Sequence, residues 1–238
     1  MPEHIGPSRV VGILGGMGPA ATVDFYDKLV RATPATQDQD HVRVVIWADP
    51  TVPNRHEALM AGGQDPRPWL EEGVQHLMRC GAEVLAVPCN TIHAYMPAVV
   101  EGKDVEFISI IDVTVEAARQ TDPTGRVGLL AADGALASGL YQSAFEEEGM
   151  ELVLPSEVSQ ADLMKVVYSV KAGASGPKER QSVVSLLAEL VGGGASTVIA
   201  GCTEVSVLLA KLDVDVRVID PSQALAEKTI ERARPVRA

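Results

Sequence analysis

Short β-branched, largely apolar runs alternate along this chain with stretches of helical periodicity. The runs at 10–14, 42–47, 83–87, 106–110, 126–130, 197–200 and 215–219 are rich in Val, Ile and Leu and are expected as strands. Between them, 20–32, 67–80, 139–148, 157–171, 178–191 and 221–233 repeat apolar residues at helical spacing and are expected as helices. Most strand positions are apolar with little alternation, which fits burial on both faces. The pattern therefore predicts an α/β protein of parallel sheets flanked by helices. Ligands of such sheets bind beyond the carboxyl ends of the strands.

The pattern also occurs twice. Val11-Gly12-Ile13-Leu14-Gly15-Gly16-Met17-Gly18 matches Val127-Gly128-Leu129-Leu130-Ala131-Ala132-Asp133-Gly134. Ala86-Val87-Pro88-Cys89-Asn90-Thr91 then matches Ile199-Ala200-Gly201-Cys202-Thr203-Glu204, and Ile110-Ile111-Asp112-Val113-Thr114 matches Val218-Ile219-Asp220-Pro221-Ser222. Any one match is what two buried strands share by composition. Three in the same order point to duplication and to two similar lobes about a cleft. The expected lobes are 1–105 together with 216–238, and 106–215.

That arrangement would set Cys89 and Cys202 across one cleft. Each follows an apolar run and precedes a helical stretch, where a helix N-terminus favours thiolate. Cys80, at the end of a helical stretch, reads as a small packed residue. His93 follows Cys89 by four positions and is expected either on a helix surface or near the thiol.

Composition narrows the partners. Hydrophobic residues make up 46% of the chain and only 4% are aromatic, so Val, Leu, Ile and Ala must supply the core. A formal net charge of -12 argues against nucleic-acid and membrane-surface partners, which need a basic face. Three cysteines form no even disulfide set and residues 1–6 lack an apolar signal core, so a cytoplasmic setting with reduced thiols is expected. No CxxC or HExxH spacing suggests a metal site.

The remaining motifs have more than one reading. Gly16-Met17-Gly18-Pro19-Ala20-Ala21 fits a dinucleotide fingerprint, but Pro19 removes an amide, and a backbone nest for a carboxylate suits the segment better. Arg55 ends a proline-stiffened loop from Asp49 and is able to grip a carboxylate in bidentate fashion. Lys171 closes a helix, where a cation is also ordinary dipole chemistry.

Taken together, Gly12–Pro19, Asp49-Pro50 through Pro53-Asn54-Arg55, Pro88-Cys89-Asn90-Thr91, Val170-Lys171-Ala172-Gly173 and Gly201-Cys202-Thr203-Glu204 resemble the cofactor-independent aspartate/glutamate racemase superfamily, in its aspartate branch. The resemblance implies two flavodoxin-like lobes, no cofactor and a homodimer acting on an acidic amino acid. It implies Cys89 and Cys202 as the two bases, and Arg55 and Lys171 as the clamp on the side-chain carboxylate. Gly16, Met17, Gly18, Asn90, Thr91 and Thr203 would complete the substrate site. The loop Ala131–Ala135 lacks the threonines common in that family and bears Asp133, which bears on substrate fit. A racemase for glutamate or a broader range of amino acids, and a non-catalytic amino-acid-binding module, are the alternatives.

Overall fold

The computed structural model describes residues 8–60, 62–121, 125–174, 176–209 and 212–234. The reading of the first six residues lies outside them. The chain runs β1 (Val11–Gly15), α1 (Pro19–Ala32), β2 (Val44–Ala48), α2 (Arg55–Met60), α3 (Arg67–Arg79), β3 (Val84–Ala86), α4 (Met96–Val100), β4 (Glu106–Ile108) and α5 (Ile110–Thr121). It continues with β5 (Arg126–Leu129), α6 (Asp133–Ala137), α7 (Leu140–Glu147), β6 (Glu151–Val153), α8 (Glu157–Lys171) and α9 (Pro177–Gly192). The last elements are β7 (Thr197–Ile199), α10 (Thr203–Leu209), β8 (Arg217–Ile219) and α11 (Pro221–Ala233).

Two four-stranded parallel sheets result, ordered β2-β1-β3-β4 and β6-β5-β7-β8. Strand order is thus the same in both halves. Within each sheet the chain turns back beside the first strand, so the loops after β1 and β3, and after β5 and β7, diverge there. That divergence opens the crevice in which α/β sheets bind ligands. Cys89 follows β3 and Cys202 follows β7, the equivalent strands of the two sheets.

The expected lobe boundaries need correction at the strand level. Glu106–Ile108 pairs with β3 and closes the first sheet, and Arg217–Ile219 pairs with β7 and closes the second. The helices after those strands then cross over. α5 packs on α7, β7 and β8, while α11 packs on α1, β3 and β4. Each strand is held by the hydrogen-bond ladder of its own sheet, whereas each following helix buries its apolar stripe against the other half. Asp220 starts α11 firmly: its carboxylate accepts from the N–H groups of Ser222 and Gln223, Pro221 occupies the first turn, and Lys28 of α1 pairs with it at 2.6 Å.

These crossings produce one central core shared by both halves. Phe25 and Leu29 of α1, Ile110 and Val113 of α5, Tyr141 and Phe145 of α7, and Leu225 and Ile230 of α11 all belong to it. Burying each such side chain contributes roughly 2 kcal/mol. The outer helices form separate cores, with α3 and α4 covering one sheet and α8, α9 and α10 covering the other.

Candidate active site

The first wall of the cleft grows from β1 and β3. Gly16 has φ 93°, and a Cβ there would meet the Asp49 backbone at 2.4 Å, so the turn after β1 requires glycine. Its N–H donates to Thr22 Oγ1 at 2.9 Å. Gly16 is therefore structural and absent from the cleft lining; the expected amide donor is engaged. Met17 does line the cleft, and Gly18 lies in an adjoining chamber that shares Lys171, Thr203 and Glu204.

Arg55 opens α2 with its guanidinium turned toward the backbone. Nη2 donates to the Met17 carbonyl at 3.0 Å, and Nη1 lies 3.5 Å from the carbonyls of Val52 and Pro53. A rigid fork fixed in this way presents its remaining N–H groups in one orientation.

Cys89 is 9% exposed and is followed by a 3-10 turn, Thr91–Ala94, ahead of the short α4. That tighter winding turns His93 inward. The imidazole is buried, Nδ1 lies 2.8 Å from the Cys89 carbonyl oxygen, and Nε2 accepts from the Ile110 N–H at 3.0 Å. Because a backbone N–H can only donate, the ring proton sits on Nδ1 and goes to Cys89 O. Burial lowers the His93 pKa to about 4 and keeps the ring neutral. His93 thus holds the main chain at Cys89 and caps the first turn of α5, in place of the helix-surface or thiol-tuning position expected of it.

The second wall grows from β5 and β7. Cys202 is 7% exposed and precedes α10. Its thiol donates to Glu204 Oε2 at 3.0 Å, and the Thr203 hydroxyl donates to the same oxygen at 3.2 Å. Burial, then the charge and hydrogen bond of Glu204, raise the Cys202 pKa well above the usual thiol value, while Lys171 acts in the opposite sense. The expectation that a helix N-terminus favours thiolate is overturned here, because an adjacent carboxylate and exclusion from water outweigh the dipole of so short a helix.

The two walls enclose a cleft of about 370 Å³. Cys89, Asn90, Thr91, Arg55 and Met17 line it from the first half, and Cys202, Thr203 and Lys171 from the second. Sequence reasoning missed other lining residues. Glu204 stood in the cysteine motif without a role. His56, Met164, Val167 and Tyr168 also line the cleft, and His56 Nδ1 is buried with no partner among the described residues. Cys80 lies outside the site and is exposed, because it ends α3 at the surface instead of packing inside.

Gly134, from the second half, approaches the first so closely that a Cβ would meet Thr91 Cγ2 at 2.9 Å and His56 Cα at 3.2 Å. The loop in which threonines were expected is therefore a contact between the walls. Among the described residues no group of three or more His, Cys, Asp or Glu side chains could hold a metal ion. No helix among them is long and apolar enough to cross a membrane.

The chain and its fold have relatives among known proteins. A family model described as Asp/Glu/hydantoin racemase matches residues 14–229. The broad specificity amino-acid racemase RacX of Bacillus subtilis is 24% identical over 230 residues, covering 93% of this chain and 96% of that protein. A glutamate racemase of Persephonella marina is 30% identical over 160 residues, 65% of this chain and 60% of that enzyme. Among solved structures, an aspartate racemase of Picrophilus torridus superposes with a TM-score of 0.85 at 29% identity, covering 96% of both chains.

Proposed function

This chain belongs to the Asp/Glu/hydantoin racemase family and is an amino-acid racemase, an isomerase, and we propose that it interconverts L- and D-aspartate by a two-base mechanism. The observation that carries the proposal is that Cys89 and Cys202 line one cleft from two different sheets. Racemisation removes a proton from one face of Cα and returns one to the other. Two bases on opposite walls perform it without turning the substrate.

At the start of turnover one sulfur must be thiolate and the other thiol. The raised pKa of Cys202 suits it to the thiol role, which leaves Cys89 as the initial base. Once Cys89 has taken the Cα proton, the Cys202 thiol turns its single proton away from Glu204 and delivers it to the opposite face of Cα. General acid/base catalysis supplies about 10²–10⁴-fold, too little for so weakly acidic a carbon. The remainder is assigned to donors at the α-carboxylate, where charge gathers in the transition state: Asn90, Thr91 and the backbone N–H of Thr203. Arg55 and Lys171 hold the distal carboxylate and align Cα between the sulfurs. No step requires a cofactor, and the reading retains the homodimer that the family resemblance implies and the cytoplasmic setting expected from the cysteine count.

The test is deuterium exchange at Cα in D₂O together with chiral chromatography of the products, without added pyridoxal phosphate. L-Aspartate should exchange and convert to the D form; binding without exchange would leave a binding module. A second reading, broader amino-acid specificity, is favoured by Met164, Val167 and Tyr168 on the cleft wall and by the hydroxyl-free segment Ala131-Ala132. A panel of L-amino acids decides between the two.

A further inference from the structure

Tyr141 lies on α7 in the second half, and its ring is fully buried in the central core beside Phe145. A phenylalanine would fill the same space without a polar atom to satisfy. The tyrosine hydroxyl instead reaches the first half and donates to Asn90 Oδ1 at 2.7 Å. Asn90 is the residue after Cys89, is 6% exposed and lines the cleft. Burial raises the Tyr141 pKa, opposed by a hydrogen bond with the Thr114 side chain of α5, so the phenol remains protonated and able to donate.

That one bond decides what the cleft meets. An asparagine amide presents an acceptor on one side and two donors on the other. With Oδ1 accepting from the phenol, the Nδ2 hydrogens remain, and among the described residues nothing accepts from them. The opposite flip would turn a carbonyl oxygen toward the carboxylate of an amino acid, where it would repel.

We propose that Tyr141 is a positioning residue for racemisation, which fixes the Asn90 amide from the opposite half so that its N–H donors face the substrate α-carboxylate. The proposal rests on the racemase reading of the cleft. Donors aimed at that carboxylate before reaction need no reorganisation as charge develops there. The bond also joins the two halves, so the donor is in place only when the walls are docked.

A double-mutant cycle tests this with Tyr141→Phe, Asn90→Ala and the pair, read in kcat/KM and in the dissociation constant of the amino acid that the unaltered protein binds most tightly. Tyr141→Phe should lower kcat/KM about tenfold, the scale of one oriented hydrogen bond. In the Asn90→Ala background the same change should cost less than about twofold, since residues acting through one another are not additive. A merely structural role would give an equal loss in both backgrounds, accompanied by a fall in thermal midpoint, and would overturn the proposal. So would an unchanged kcat/KM in Tyr141→Phe alone. If the unaltered protein binds the amino acid without Cα exchange, the racemase reading fails, and the cycle in dissociation constants still decides what Tyr141 does.

Discussion

The Cys202 thiol donates to Glu204 Oε2 at 3.0 Å, which places a carboxylate against one of the two sulfurs of the cleft. Burial and this carboxylate together keep the sulfur protonated. Glu204→Gln removes the negative charge that opposes thiolate, so the Cys202 pKa should fall. Alkylation of Cys202 by iodoacetamide at pH 8, followed by peptide-resolved mass spectrometry, should then be at least several-fold faster. An unchanged alkylation rate would show that burial alone sets the thiol.

Each sulfur is expected to be indispensable. Cys89→Ala and Cys202→Ala should each lower racemisation by more than about 10²-fold, the least that general acid/base catalysis commonly supplies. Chiral chromatography over long incubations measures it. Turnover by either variant near the unaltered rate would end the two-base scheme.

Arg55 is held by the Met17 carbonyl, with those of Val52 and Pro53 nearby, so its charge and its shape are separable. Arg55→Lys keeps the charge and loses the fork. The KM for aspartate should rise at least about tenfold, the cost of a lost charged hydrogen bond, while turnover of a neutral amino acid changes little. An unaltered aspartate KM would remove Arg55 from the carboxylate clamp.

His93 couples folding to acidity. Its pKa is lowered from 6.5 to about 4 in the native protein, chiefly by burial. Between those values the unfolded chain binds a proton that the native one does not, so stability should decline as pH falls from about 6.5 to about 4 and be unaffected by this group above. The loss amounts to roughly 3 kcal/mol. Urea midpoints at pH 7, 5 and 4 measure it, and in His93→Gln this part of the decline should vanish.

Much of this site was legible because its signals are local. An apolar run ending in Cys89-Asn90-Thr91 or Cys202-Thr203-Glu204 announces a strand end, and the repeat gives the two ends a common cleft. What stayed hidden depends on neighbours distant in sequence or on a change of winding. His93 looked helix-bound at four residues from Cys89, but a turn with three residues per revolution carries it inside. Tyr141, His56 and Met164 belong to the site only because the halves dock, and no local pattern records that. The strand Glu151–Val153 has no clear signal because it is a three-residue sheet edge that opens on an exposed glutamate, with only Leu152-Val153-Leu154 as its apolar run. Ile110 read as the end of a strand, yet it starts α5, its side chain buried in the core shared with the half to which that helix crosses.

The crossing of α5 and α11 also has a consequence for how the polypeptide is made. Phe25 and Leu29 of the first half are covered by a helix that begins at Pro221. During synthesis, then, the first sheet emerges early but stays uncovered until the 13 residues of α11 follow. Neither half is a finished folding unit on the ribosome, although the repeat makes each look like one. A nascent chain arrested before Pro221 should therefore be cleaved by protease in its first half, and release of α11 should protect it.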